Sequence, residues 1–261
     1  MVKFARYEYN KKIYEGLIDE AEIQVIKGSF WNQYEVSGDK HSISEVRFLP
    51  PVIPTKIVCV GQNYLGHIKE LGAPIPKEPI IFLKPPSCLI GHEHPIVYGR
   101  DAERIDYEGE LAIVIKRKMK QVNESDALNY VLGYSCFNDV TERNMQAKNP
   151  FLLSLSKGFD SFGPFGPYIV TDLDPNDLML KTYLNGELKQ QDNTKNCVFS
   201  AQQVLVFIAR YMTLFPGDIV ITGTPRGIAP MKPGDTVEVE IEDIGTLRNT
   251  VQAEGLSSQP G

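Results

Sequence analysis

The chain has 261 residues, 42% of them apolar and 23% charged, with a formal net charge of −6. That length supports one large domain, or a large domain with a small one attached, without disulfides or structural zinc. The negative balance argues against a sequence-independent affinity for nucleic acid or an anionic membrane, and the basic run Lys116 to Lys120 is short enough to be a solvated turn. No stretch reaches the length of a membrane span, and "MVKFARYEYNKK" lacks the apolar core of a signal peptide, so a cytoplasmic location is expected. The four cysteines, Cys59, Cys88, Cys136 and Cys197, form no C-x-x-C pair and suit reduced thiols; Cys59 and Cys136 lie in apolar runs and should simply pack.

In chain order, "KFARYEY", "KIYEGLID" and "AEIQVIKG" alternate apolar and polar residues and predict a small β-rich unit over residues 1–50. The prolines of "RFLPPVIPTK" mark a linker into a main domain over 51–261. "KIVCVGQNY" reads as a strand entering a turn, and "NYLGHIKELG" as a short helix stopped by Gly72, Pro74 and Pro76. Strands follow at "PIIFLKP", "ELAIVIKR", "VLGYSCFNDV", "PYIVT", "GDIVITGTP" and "DTVEVEIEDIG", with a hairpin at Asn185-Gly186 in "TYLNGELKQ". Helices are predicted at "ESDALNYV", "TERNMQAK" and "SAQQVLVFIARYM", the last burying Val204, Phe207, Ile208 and Tyr211; "KGFDSFGPFGP" reads as irregular loop. Many strands and few βα repeats predict an α+β, mostly β fold: a mixed, largely antiparallel roll with peripheral helices.

Chemistry concentrates in "RIDYEGELAIVI". Asp106, Glu108 and Glu110 stand at every second position, one strand face, at the mouth of a run apolar enough to be buried on both sides. Buried acids need neutralising. Asp139 ends another apolar strand and can complete a metal site with Glu108 and Glu110; the alternative is two unrelated strand-end acids, with Asp139 capping the next helix. An all-carboxylate set suits a hard cation, Mg²⁺ or Mn²⁺. Arg143 and Gln146 share a helical face beyond Asp139 and suit a substrate carboxylate, whereas Lys157 suits a developing enolate; each alone is otherwise a surface side chain. His67 and Glu70, three apart on a short helix with few anchors, are either a water-activating pair on a mobile lid or an exposed ion pair. The loop Thr222, Gly223, Thr224 and Pro225 offers free N–H groups and a hydroxyl to a carboxylate. His92 and His94 share a strand face without matching ligands at metal spacing.

In order, "VGQNYLGH", "FLKP", "DYEGELAIVI", "FNDVTERNMQ", "SKGFDSFGPFGP", "NGE" and "GDIVITGTPRG" resemble the fumarylacetoacetate hydrolase family, most of all its acylpyruvate hydrolase and oxaloacetate decarboxylase members. The resemblance spans about Lys56 to Ile241. It implies a homodimer, Mg²⁺ or Mn²⁺ on Glu108, Glu110 and Asp139, a small 2-oxo or β-keto acid substrate, and Lys157, Arg143, Gln146 and Thr224 around it. It also implies a catalytic His67–Glu70 dyad. The expected activity is hydrolysis of a carbon–carbon bond in acylpyruvates, with oxaloacetate decarboxylation in the same site. The alternatives are an isomerase of 2-hydroxyhepta-2,4-diene-1,7-dioate, a decarboxylase of 5-oxopent-3-ene-1,2,5-tricarboxylate, and a non-catalytic homologue that binds small acids.

Overall fold

The computed structural model describes residues 1–31, 33–100 and 102–255. Strands β1 (Lys3–Tyr9), β2 (Lys12–Asp19), β3 (Glu22–Gly28) and β4 (Tyr34–Ser42) form an antiparallel meander, with β5 (Arg47–Phe48) beside β1. The meander is not a separate sheet. Its β1 pairs with a strand of the main domain, Lys3 opposite Val170.

Next come β6 (Ile57–Gly61), helix α1 (Leu65–Glu70), β7 (Ile80–Lys84), β8 (Leu89–Ile90) and β9 (Ile96–Tyr98). They lead to β10 (Ile105–Asp106), β11 (Gly109–Ile115), β12 (Val131–Asn138), β13 (Thr141–Glu142), helices α2 (Arg143–Lys148) and α3 (Leu153–Ser156), and β14 (Gly163–Val170). The hairpin β15 (Met179–Leu184) and β16 (Glu187–Asn193) precedes helix α4 (Ala201–Tyr211), then β17 (Ile219–Ile221), β18 (Pro230–Met231), β19 (Thr236–Ile241) and β20 (Gly245–Ala253). A 12-stranded sheet runs β4-β3-β2-β1-β14-β12-β11-β17-β6-β7, with β5 and β8 beside it; five strands, β16-β15-β19-β20-β9, make a second sheet and β13-β10-β18 a third. This is the mostly β, mixed and largely antiparallel roll that the sequence predicts.

Strand β11 is buried along its whole length, as its unbroken apolar run requires. On one of its faces Leu111 and Ile113 pack with Val204, Leu205 and Ile208 of α4; on the other Ala112 and Val114 pack with Phe137 and Phe165. Cys59 and Cys136 are fully buried in these two clusters. The hairpin forms at Asn185-Gly186, both residues at positive φ, the geometry a two-residue turn needs.

Several details differ from expectation. Helix α4 buries Ala201, Val204, Leu205, Ile208 and Ala209, whereas Tyr211 is 62% exposed and stacks edge-on against Phe207. The buried residues fall at i, i+3, i+4, i+7 and i+8 from Ala201, a stripe that leaves Tyr211 off the core face. "ESDALNYV" is a 3₁₀ turn, not an α-helix. The "GPFGP" segment belongs to β14; its pairing with β12 shifts register between Tyr134 and Cys136, which is where the missing N–H of Pro167 falls. His92 and His94 sit in a turn rather than on a strand.

Candidate active site

Register builds the acidic centre. Gly109 pairs with Asn138, which sets Glu108 and Glu110 beside Asp139 at adjacent strand ends in the middle of the large sheet. The Asp139 N–H donates to the Glu108 carbonyl at 2.8 Å, and the Glu108 N–H donates to Asn138 Oδ1 at 2.9 Å. Carboxylate oxygens of Glu108, Glu110 and Asp139 lie within 4.8 Å of one another, all buried. The residue between the glutamates must be glycine, because a Cβ on Gly109 would stand 2.2 Å from Thr182 Oγ1.

Asp106 stays out of this cluster. The chain leaves strand geometry between β10 and β11, and Asp106 turns to Arg104 at 2.8 Å and Arg143 at 2.9 Å. Nor does Asp139 cap α2: Glu142 does, its side chain accepting the Met145 N–H. The alternative of unrelated strand-end acids therefore fails.

Cations crowd the centre unevenly. Lys157, 3% exposed and no surface residue, places Nζ 2.8 Å from Glu108 Oε2, 2.6 Å from Asp139 Oδ2 and 2.8 Å from Thr141 Oγ1. The Arg143 guanidinium reaches Glu108 Oε1 and donates to Gln146 Oε1 at 2.6 Å. Lys84, at the end of β7, stands 2.7 Å from Asp139 Oδ1, an ion pair whose angles leave that oxygen without a hydrogen bond. Glu110 forms no ion pair among the described residues; its Oε2 accepts the Gly223 N–H at 2.6 Å. That N–H, expected to be free for substrate, is therefore occupied.

Titration follows this asymmetry. Burial raises the Glu108 carboxyl, but Lys157 and Arg143 outweigh it and bring it down to about 2. Burial, then the Asp139 and Glu108 charges, push Glu110 well above the usual carboxylate range. Burial lowers Lys157, yet Asp139 and Glu108 leave it raised. A buried carboxyl without a cation and a buried Asp139 oxygen without a hydrogen bond fit a further cation between them. The all-oxygen donor set suits Mg²⁺ or Mn²⁺.

The centre opens into a cleft of about 310 Å³ lined by His67, Glu108, Glu110, Asp139, Arg143, Gln146, Lys157 and Thr224 among others. A larger cavity of about 460 Å³, between Phe30, Trp31 and β12, holds none of these residues, so size alone does not mark the site. His67 is 6% exposed, which removes the exposed-pair reading. Its Nδ1 lies 2.9 Å from Glu70 Oε2, and Glu70 Oε1 accepts the Gly227 N–H at 2.9 Å. Helix α1 is better anchored than a six-residue lid suggests. At its entry Asn63 donates to the carbonyls of Thr222 at 2.8 Å and Phe199 at 3.2 Å, and accepts the Phe199 N–H at 2.9 Å.

Nine of the ten site residues named from sequence converge here, and Gly223 adjoins them through Glu110. Sequence reasoning passed over Lys84, Asn63 and Gln190. A lysine closing the apolar run "IIFL" before two prolines was the readable signal for Lys84, since a buried charge requires a partner. His92 and His94 bind elsewhere: Arg248 donates its N–H to His92 Nδ1, and Arg47 donates to His94 Nε2 at 2.8 Å. No helix among the described residues is long and apolar enough to cross a membrane.

A buried three-carboxylate cluster that could hold a divalent cation shares one cleft of a β-roll with a carboxylate-oriented histidine, the arrangement of an enzyme active site. The chain belongs to the fumarylacetoacetate hydrolase family: residues 56–252 match the fumarylacetoacetate (FAA) hydrolase C-terminal model, and residues 2–51 match the Rv2993c-like N-terminal model. A protein of Archaeoglobus fulgidus is 46% identical over 94% of both chains. The oxaloacetate tautomerase FAHD2A, mitochondrial, of Homo sapiens is 40% identical over 80% of this chain and 70% of its own. The 2-hydroxyhepta-2,4-diene-1,7-dioate isomerase of Mycobacterium marinum superposes with a TM-score of 0.91 at 36% identity, covering 98% of this chain and 100% of that one.

Proposed function

We propose that this enzyme tautomerises a small 2-oxo acid of the oxaloacetate type, moving a proton at the carbon beside the oxo group with His67 as its carrier. The observation behind this reading is the buried, Glu70-oriented His67 in one cleft with Glu108, Glu110 and Asp139. A divalent cation, Mg²⁺ or Mn²⁺, on those three carboxylates would polarise the oxo group and stabilise negative charge on its oxygen. Because a carboxylate only accepts, Glu70 fixes the proton on Nδ1 and leaves Nε2 to take one from carbon. Lys157 adds a fixed positive charge that favours the enolate. Arg143 and Gln146 supply the donors for a substrate carboxylate. The names of the human relative and the mycobacterial structure, a tautomerase and an isomerase, support proton transfer as the central step.

A second reading, hydrolysis of acylpyruvates, is favoured by the same dyad, since Nε2 can equally take a proton from water. The water then attacks the distal carbonyl, the carbon–carbon bond breaks, and a pyruvate enolate leaves beside Lys157. Loss of CO₂ from oxaloacetate yields that enolate without water. Ultraviolet assays of oxaloacetate enol–keto exchange and acetylpyruvate loss, with Mg²⁺ or EDTA, separate these reactions. Mg²⁺-dependent tautomerisation that His67→Ala lowers by about 10²–10⁴-fold is expected. Faster cleavage of acetylpyruvate would put hydrolysis first. Full tautomerisation by His67→Ala would remove His67 from the chemistry, and inertness toward both acids would favour a longer dienoic diacid or a mere binding protein. The homodimer expected from the family resemblance belongs to this proposal and is read by light scattering.

A further inference from the structure

Gln190, on β16, is 1% exposed, and all of its polar atoms are engaged. Its Oε1 accepts the N–H of Gly109, the residue between Glu108 and Glu110, at 3.0 Å. Its Nε2 donates to Thr224 Oγ1 and to the Pro225 carbonyl, both at 2.8 Å. One amide thus bridges the backbone of the acidic centre to the loop that brings Thr224 into the cleft. The direction of the Thr224 bond matters. An amide NH₂ can only donate, so the Thr224 hydroxyl accepts from Gln190, and its own hydrogen has no acceptor among the described residues. A buried hydroxyl that already accepts one bond, keeps its hydrogen unspent and lines a cleft is poised to donate to what enters.

We infer that Gln190 is a positioning residue that sets the polarity of Thr224, making it a hydrogen-bond donor for a ligand oxygen that can only accept, such as one of a carboxylate. The inference rests on the reading of the substrate as a 2-oxo acid and adds the group that selects its anionic oxygen. Gln190 does not touch the ligand; it acts through Thr224.

The test is a double-mutant cycle on the full chain with Gln190→Met, Thr224→Val and the pair, read twice. Gln190→Met keeps the length of the side chain without its amide, and Thr224→Val keeps shape without the hydroxyl. In the first readout, thermal melting without metal, the pair should cost less than the sum of the singles, because either change breaks the same bond. In the second, calorimetric titration with oxalate in excess Mg²⁺, each single should weaken binding by about tenfold and the pair by no more than Thr224→Val alone. Thr224→Ser, which retains the hydroxyl, should bind oxalate like the parent. Additive losses in oxalate affinity would reduce Gln190 to general support and overturn the inference, as would undiminished oxalate binding by Thr224→Val. Melting additivity would overturn it too, by denying the bond. Coupled melting, with no oxalate binding by the parent protein, would instead overturn the 2-oxo acid reading and, with it, the assigned acceptor.

Discussion

The acidic centre and the histidine dyad face one cleft but are held in place by different means. Glu108, Glu110 and Asp139 sit at the ends of central strands whose following or preceding residues, Leu111, Ala112, Cys136 and Phe137, are buried. Their backbone is fixed by ladder bonds on both sides of β11. Helix α1 has six residues, of which only His67 and Ile68 are buried, too short to persist without tertiary support. What holds it are individual polar bonds, from Asn63 at its entry and from Glu70 to the Gly227 N–H at its exit. The three carboxylates inherit the rigidity of the core, whereas the position of His67 depends on a few bonds that single substitutions can remove.

That difference predicts separable failures. Asp139→Asn or Glu110→Ala should have the largest effect, lowering Mg²⁺ affinity in calorimetry by more than the roughly 10–100-fold typical of an outer-shell change, and abolishing every reaction with it. His67→Ala should leave Mg²⁺ binding intact while kcat falls by about 10²–10⁴-fold; a parallel loss of metal binding would show that the two regions are not independent. Lys84→Met tests the boundary between them. Lys84 is fully enclosed and its charge faces Asp139 Oδ1, so its removal should destabilise the protein in EDTA by less than the roughly 3–5 kcal/mol of a fully unpaired buried charge, since Lys157 still holds Oδ2, and by clearly less again in Mg²⁺, where the cation can answer Oδ1. Equal losses in melting temperature with and without Mg²⁺ would separate Lys84 from the centre.

The same division explains what was legible in the sequence. Strands with apolar runs or clean alternation, such as β11, β12 and β1 to β3, were readable, and with them the carboxylates at their ends. Strand β4, "YEVSGDKHS", is mostly exposed and was missed. So was β20, where buried Asn249 stands between Leu247 and Val251 in a position alternation would give to an apolar residue. Asn249 is satisfied by the carbonyls of Gly91 and His94, more than 150 positions away in sequence. Asn63 and Gln190 were invisible for that reason: each does its work through partners 34 to 159 positions distant, and nothing local distinguishes them from surface polar residues, whereas Lys84 closes an apolar run and could have been read.

The smallest predicted effect comes from the histidines outside the cleft. Where His67 meets a carboxylate, His94 meets a cation: its Nε2 accepts from Arg47 Nε at 2.8 Å, tying β5 to the turn before β9. Burial first, and the Arg47 charge second, lower the His94 imidazole from 6.5 to about 4. The folded protein therefore refuses a proton that the unfolded chain accepts below about 6.5. The resulting stability is complete above that pH and is lost as pH falls toward 4. His94→Gln keeps an acceptor for Arg47 but cannot be protonated, so its melting temperature should match the parent near neutrality and exceed it progressively below. The gain should stay under about 1.4 kcal/mol per pH unit, since the ring is partly exposed and screened. His92, also lowered by burial, keeps part of the acid sensitivity in the variant. If parent and variant lost stability identically between pH 6.5 and 4, the neutral His94–Arg47 contact would not be what joins the N-terminal strands to that turn in solution.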